Sequence, residues 1–138
     1  MSRALNYSSS CHNKRPVRIF KTRWFVRYAR RQRIEDALLV DAIKRAGRGL
    51  IDADLGSHVI KQRIARQGKG RSGGYRTLVA FRSGARAVFL YGFAKSEREN
   101  IDVSELATLK EIAAAWMAAD ETKIAKAIAE GLLQELEQ

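Results

Sequence analysis

The chain has 138 residues, 46% of them hydrophobic and 30% charged, and 26 Lys and Arg against 15 Asp and Glu give a net charge of +11. This composition lacks the low apolar content that is typical of disordered chains. The single cysteine, Cys11, excludes an intrachain disulfide and favours a reducing compartment, so we expect a cytoplasmic protein. No apolar run is long enough for a membrane span or a signal peptide, so neither a membrane protein nor a secreted one is expected.

Positive charge is concentrated in the N-terminal part. Residues 1–95 carry 22 Lys and Arg against 5 Asp and Glu, whereas residues 96–138 carry 4 against 10. The basic part predicts a polyanionic partner, which is a nucleic acid, an anionic membrane surface or an acidic protein. The acidic part is explained equally well by a second functional surface or by helices that pack on the basic part and neutralise it.

The N-terminal pattern predicts a leader, a strand and two helices. Residues 1–15 lack periodicity and predict a mobile leader, and the alternation over 17–22 predicts a strand. Aromatic residues at helical spacing among arginines predict a short basic helix near 24–33. A second helix is predicted over 35–46, since acids near its start, bases near its end and Gly47 after it agree with the helix dipole and a helix stop.

Three strands are predicted in the middle of the chain, over residues 59–65, 75–82 and 86–93. Asp and Gly residues in 52–56 predict a loop before the first strand, and residues 67–74 are too rich in glycine for regular structure. The turn between the last two strands is short, so they are predicted to be antiparallel, with the first strand beside them.

Helical periodicity dominates the C-terminal part. Asp102 and Glu105 have the spacing of a capping box that opens a helix. Apolar stripes follow over 106–116 and 124–136, and the pattern leaves open whether residues 104–137 form one helix or two.

These elements predict an α+β fold in the order β-α-α-β-β-β-α-α. We expect a small, twisted, mainly antiparallel sheet with the two N-terminal helices on one face and the C-terminal helices appended. The predicted organisation is a leader (1–15), one domain (16–119) and a C-terminal helical extension (120–138).

One end of this sheet is predicted to collect positive charge. Alternation along the hairpin places Arg76 on the same face as Leu78 and Ala80. Cations gathered at one place repel one another, so we expect this end of the sheet to bind an anion such as phosphate. Backbone N–H groups of the glycine-rich loop either contact that phosphate or only form a turn, and the spacing does not match a nucleotide-binding P-loop. The expected members are Lys69, Arg71, Arg76, Lys95 and Arg98.

Two segments, KGRSGGYR (69–76) and FAKSERENI (93–101), together with the element order, resemble the RelE/ParE superfamily of bacterial toxin–antitoxin toxins. The RelE/HigB-like branch is the most similar, and the resemblance covers residues 17–116. It implies an endoribonuclease that cleaves mRNA, usually on the translating ribosome. It also implies a cognate antitoxin that silences the toxin and is either acidic or carries a helix-turn-helix DNA-binding domain.

The resemblance assigns roles to individual residues. The lysine that helps to activate the nucleophile falls on Lys69, and the arginine that holds the scissile phosphate falls on Arg76. The basic cluster after the last central strand falls on Lys95 and Arg98. In this hypothesis the arginines stabilise charge on the phosphate, and Lys69 or Lys95 takes part in proton transfer.

The sequence departs from the RelE pattern at two places, which leaves the general base open. Ser96 stands where an arginine is expected, and Ile101 or Asp102 stands where RelE has a tyrosine. Tyr91 is the candidate substitute, either by sharing a proton or by stacking on a base.

The remaining candidates are assigned to substrate contacts or to the core. We expect no cofactor and no metal site, and a catalytic pair of His12 and His58 is not expected. Four aromatic residues are expected to belong to the core rather than to stack on a base: Trp24, Phe25, Tyr28 and Trp116. Three basic residues are expected to guide RNA, with solvated surface charge as the alternative: Lys61, Arg63 and Arg71.

Two other functions remain open at this point. One is a ParE-like inhibitor that binds DNA gyrase and performs no chemistry. The other is an RNA-binding module whose cationic cluster only neutralises phosphate. The cluster favours the nuclease, because a pure inhibitor does not require convergent cations at one end of a sheet.

Overall fold

The computed structural model describes residues 17–65 and 74–138, in which a six-stranded sheet carries helices on both faces. The predicted leader (1–15) and the glycine-rich loop with Lys69 and Arg71 lie outside the described residues. The elements are β1 (Arg18–Thr22), α1 (Arg23–Gln32), α2 (Asp36–Gly47), β2 (Ala53–Gly56), β3 (Val59–Ile64), β4 (Tyr75–Arg82), β5 (Arg86–Ala94), α3 (Val103–Ala118), α4 (Glu121–Ala129) and β6 (Leu133–Glu135).

The strand order is β2-β3-β4-β5-β1-β6. The four strands from β2 to β5 form an antiparallel meander, β1 pairs with β5 in parallel, and β6 pairs antiparallel with β1. The predicted α+β fold with a mainly antiparallel sheet is therefore confirmed.

Each face of the sheet buries a separate apolar cluster. Phe25 of α1 and Leu39 of α2 pack with Phe89 on one face, so the prediction that the two N-terminal helices share a face is confirmed. On the other face Leu109 of α3 packs with Leu78. Strands covered on both sides have few solvent-facing positions, and β4 and β5 are accordingly buried along most of their length.

A register shift between β4 and β5 changes which side chains of β5 face α3. Leu78 pairs with Tyr91 but Val79 pairs with Phe89, so Leu90 is the extra residue. Leu90 and Tyr91 consequently both belong to the cluster under α3. The shift sets the face on which the aromatic residues at the end of β5 lie.

The C-terminal part contains two helices and a strand. The predicted capping box is present, with the Asp102 carboxylate accepting from the Glu105 backbone and the Glu105 side chain accepting from the Asp102 backbone. The chain is extended at Ala119, and the Asp120 side chain caps α4. The question that the periodicity left open is settled in favour of two helices.

Two sequence expectations about secondary structure were wrong. Residues 53–56, expected as loop, form β2 on the edge of the sheet. The helical stripe expected to continue to Leu136 ends with α4, because Gly131 adopts a φ of 77° and the chain turns back. Residues 133–135 then satisfy the backbone groups of β1, a non-local pairing that overrides the local helical pattern. The domain boundary at residue 119 stays a prediction.

Ion pairs fasten the C-terminal part to the sheet. The Arg18 guanidinium binds the Glu135 carboxylate through two contacts of 2.8 Å and also binds Glu121. Arg86 donates to the carbonyls of Trp116 and Ala119 at 2.7 Å. These contacts connect β1 and β5 to β6 and to the junction between α3 and α4.

The Arg18–Glu135 pair predicts a loss of stability in acid. The hydrogen bonds from Arg18 lower the pKa of Glu135 in the folded protein. The ion pair therefore contributes fully to the free energy of unfolding above the ordinary glutamate pKa of about 4.3, and this contribution is lost as the pH falls below that value. Both side chains are more than a third exposed, so Glu135→Gln should lower the free energy of unfolding at pH 7 by only about 0.5–1 kcal/mol. Urea unfolding at pH 7 and pH 3.5 checks this. Glu137→Gln is the matched control. If Glu135→Gln lowered the free energy of unfolding equally at both pH values, the prediction would be contradicted.

Gly92 predicts a second, steric effect. A Cβ at this position would lie 2.9 Å from Cε2 of Tyr28 and 3.3 Å from Cε1 of Phe25. Because both rings are buried, we expect Gly92→Ala to lower the free energy of unfolding by about 1–3 kcal/mol, measured by denaturant unfolding. Gly47→Ala, where a Cβ meets nothing within 4 Å, should not be destabilising. Equal stability of the two variants would show that the rings move aside freely.

Candidate functional site

Two arginines and an aromatic residue form a row across the sheet, on the face that carries α3. Arg63 of β3 pairs in register with Arg76 of β4, and Arg76 pairs with Phe93 of β5. Directly opposed side chains have Cβ atoms about 4.5–5.5 Å apart, so the row is continuous. It lies at the end of the sheet where residues 66–73 connect β3 and β4.

Arg76 is the most buried cation of this row, with 7% of the residue exposed. Its Nε lies 3.4 Å from Oδ2 of Asp52. Its Nη1 is buried and has no hydrogen-bond partner among the described residues. A buried guanidinium nitrogen without a partner is costly, so an acceptor oxygen that reached this atom would be stabilising.

Arg98 contacts the ring of Phe93. Its Cζ is 5.5 Å from the centre of the Phe93 ring, within the range of a cation–π contact. Its guanidinium contacts both carboxylate oxygens of Glu105, at 2.7 and 3.3 Å, and its Nε donates to the Asn100 carbonyl at 2.9 Å. The hydrogen bond to Glu105 raises the pKa of Arg98, and the same hydrogen bond lowers the pKa of Glu105. Arg98 is therefore a fully charged but paired cation.

The segment that precedes α3 is joined to β3. The Lys61 ammonium donates to Oδ1 of Asn100 at 3.1 Å, and the backbone of Asn100 is held by Arg98. Lys61 faces the same side of the sheet as Arg63, two residues further along β3. The structure thus brings together Lys61, Arg63, Arg76 and Arg98 around one end of this face.

Tyr91 lies one row further into the sheet, opposite Leu78. The centre of its ring is 4.5 Å from the ring centre of Trp24. Tyr91 also lines a cavity of about 210 Å³, together with Glu105, Thr108 and Leu109. Trp24 is 40% exposed, so the expectation that it belongs to the core was wrong. The cause is its position at the start of α1, beyond the end of β1, where it covers the side of β5.

Lys95 follows β5 at the same end of the sheet. Its side chain is exposed, and its backbone N–H donates to the Gly74 carbonyl at 3.1 Å, next to the point where the chain enters β4. Its backbone therefore lies next to Gly74, directly before the start of β4. The roles predicted for Lys69, Arg71 and Lys95 stay predictions.

Sequence reasoning missed the acidic and amide partners of the cations. Asp52 was assigned to a loop, and Glu105 was recognised only as a capping residue. The available signal was the scarcity of acids in residues 1–95, where each of the 5 acids stands among 22 bases. The seven-residue separation of Arg98 and Glu105 matches no regular local pattern, and it depends on the turn between β5 and α3.

A comparison with protein families now identifies the chain. Residues 17–136 match the family model described as the RelE toxin of the RelE/RelB toxin–antitoxin system. This chain belongs to the RelE toxin family. No curated protein and no solved structure matches it. As a member of this family it is the toxin of a toxin–antitoxin system, and its family implies a RelB-type antitoxin as partner.

The last elements of this RelE-family toxin, α4 and β6, do not fill the basic site, which Glu105 of α3 enters through its pair with Arg98. β6 lies at the edge of the sheet opposite to β2, on the far side of β1, and α4 packs beside it. Among residues 17–65 and 74–138, no helix is long and apolar enough to cross a membrane, and no group of three or more potential metal ligands occurs.

Glu105 combines two stabilising contacts that substitutions separate. Glutamine at this position still accepts from the Asp102 backbone but loses the ion pair with Arg98, whereas alanine loses both. We expect Glu105→Gln to lower the midpoint of thermal unfolding slightly and Glu105→Ala to lower it by several degrees. Glu111→Ala, exposed in the middle of α3, is the control. An equal effect of the two Glu105 variants would show that the capping contact contributes nothing.

Proposed function

We propose that this toxin is an endoribonuclease that cleaves mRNA on the translating ribosome and so inhibits translation. The observation that carries the proposal is the buried Arg76, whose Nη1 has no partner among the described residues. It is supported by the surrounding cations, because an RNA phosphate supplies the negative charge and the acceptor oxygens that such a cluster lacks.

Cleavage by the ribose 2′-OH requires three things: removal of the hydroxyl proton, stabilisation of charge on the phosphate, and a proton for the leaving 5′-oxygen. Arg76 pairs in register with Phe93, Arg98 lies against the Phe93 ring, and these two arginines supply the second requirement. Guanidinium groups suit this role because they are always charged and donate in the geometry of phosphate oxygens. Held on a strand, Arg76 needs little reorganisation during the reaction.

The other residues have proposed supporting roles. Lys95 or Lys69 transfers protons, and Lys61, Arg63 and Arg71 guide the RNA backbone. Tyr91 borders the cavity beside Glu105, and its ring stacks on a base near the cut.

The proposed partners follow from the same surface. The mRNA on a translating ribosome occupies the basic face, and the antitoxin neutralises it. An acidic segment of the antitoxin laid over Arg63 and Arg76 would compete directly with RNA, which accounts for silencing without a change in the fold.

Arg76→Gln tests the proposal directly. Loss of a positioned cation from the phosphate site should reduce cleavage by about 10²–10³-fold, with the fold retained by circular dichroism. The control is Arg82→Gln, an exposed arginine at the opposite end of the same strand, which should cleave as the wild type does. Cut sites are mapped by primer extension after brief expression, and on purified translating ribosomes.

Three results would contradict the proposal. Full cleavage by Arg76→Gln would remove Arg76 from the mechanism. An SOS response with intact mRNA would favour the gyrase inhibitor. Tight RNA binding by the wild type without any cut, on ribosomes as well as on free RNA, would favour the non-catalytic binding module.

A further inference from the structure

The register of β3 and β4 creates a conflict between two like charges. Arg63 and Arg76 are directly opposed on one face; the Arg63 side chain is 45% exposed and the Arg76 side chain only 9%, so water screens their repulsion in part. One carboxylate stands beside both. Asp52 Oδ2 is 3.4 Å from Nε of Arg76, and its Oδ1 is 3.9 Å from Nη2 of Arg63.

We propose that Asp52 is a positioning residue for RNA cleavage, which it serves by fixing the guanidinium of Arg76. This inference rests on the proposed nuclease function. Asp52 engages the Nε edge of Arg76, and the Nη1 nitrogen is left without a partner among the described residues. The carboxylate thus holds the arginine at Nε, while the buried Nη1 keeps a hydrogen-bonding capacity that a phosphate oxygen reaching it would satisfy.

Asp52 is itself held in place by a buried amide. Its backbone N–H donates to the side-chain oxygen of Gln62 at 3.0 Å and to the Lys61 carbonyl at 3.1 Å. Gln62 is 1% exposed, and its Nε2 donates to the carbonyls of Ala42 at 2.8 Å and Leu50 at 3.2 Å. A buried polar group with these bonds satisfied has one favoured orientation. The chain from α2 through Gln62 therefore fixes the backbone that carries the carboxylate.

This arrangement separates positioning from attraction. Asp52→Asn removes one negative charge from a basic face, so the long-range attraction of RNA does not weaken. The Arg76 guanidinium loses its anionic partner and is repelled by Arg63, so its orientation is less restricted. Misplacement of a catalytic group by about 1 Å can cost about a hundredfold in rate. The expected signature is a slower chemical step with undiminished binding.

The experiment measures single-turnover cleavage of a defined mRNA on purified translating ribosomes, with the full chain at increasing concentration. For Asp52→Asn we expect the maximal rate to fall at least about tenfold, while the half-saturating concentration stays the same or decreases. Asp52→Glu, which keeps the charge, should recover part of the rate. The control is Asp54→Asn, which makes the same change two residues away, where the side chain accepts from the Gly56 backbone; it should behave as the wild type.

A double-variant cycle provides the second readout. In an Arg76→Gln background, adding Asp52→Asn should change the residual rate less than twofold, because the group that Asp52 positions is already absent. Unimpaired cleavage by Asp52→Asn would overturn the inference. So would a higher half-saturating concentration with an unchanged maximal rate, or a full additional loss in the Arg76→Gln background, since these indicate a contact with RNA or a structural role. If the wild type itself does not cleave, the proposed function fails and this inference falls with it.

Discussion

The pairing of β3 with β4 determines the character of the site, because it opposes Arg63 and Arg76 on a face that α3 already covers in part. Two nearby carboxylates offset part of the positive charge at this end of the sheet. Asp52 stands next to both arginines, and Arg98, the other cation beside Phe93, is paired with Glu105. The sheet thus concentrates positive charge at one end, and the carboxylates of Asp52 and Glu105 hold the cations there in defined orientations.

The uneven distribution of charge along the chain has a structural explanation. Acids from the C-terminal part pair with arginines of the basic part: Glu121 with Arg18 and Arg86, Glu135 with Arg18, and Glu105 with Arg98. Glu121 and Glu135 therefore attach α4 and β6 to the sheet, whereas Glu105 orients a cation of the site. Of the two explanations that the sequence left open, packing and neutralisation are supported by these contacts.

Local patterns predicted much of this molecule. Period-two alternation placed Arg76 on the face of Leu78, and the capping box located the start of α3 to within a residue. Non-local features escaped prediction. β6 exists because β1 has an open edge, and the role of Asp52 depends on Gln62, whose neighbours Ala42 and Leu50 come from another part of the chain. The period of a strand shows which face a side chain takes, but it does not show which carboxylate will meet it there.

The parallel pairing of β1 with β5 has a consequence for how the protein acquires its structure. Arg18 of β1 pairs in register with Arg86 of β5. β1 is synthesised first among the strands, but its parallel neighbour β5 is synthesised only after β2, β3 and β4. Contacts between such distant parts of a chain carry a large loop-closure entropy, and they slow folding relative to a meander built from hairpins. The β2–β5 meander, with its basic row, is therefore expected to assemble before the edge strands join it. During that interval Ile19 and Phe20, which the finished sheet buries on its two faces, are exposed to other nascent chains.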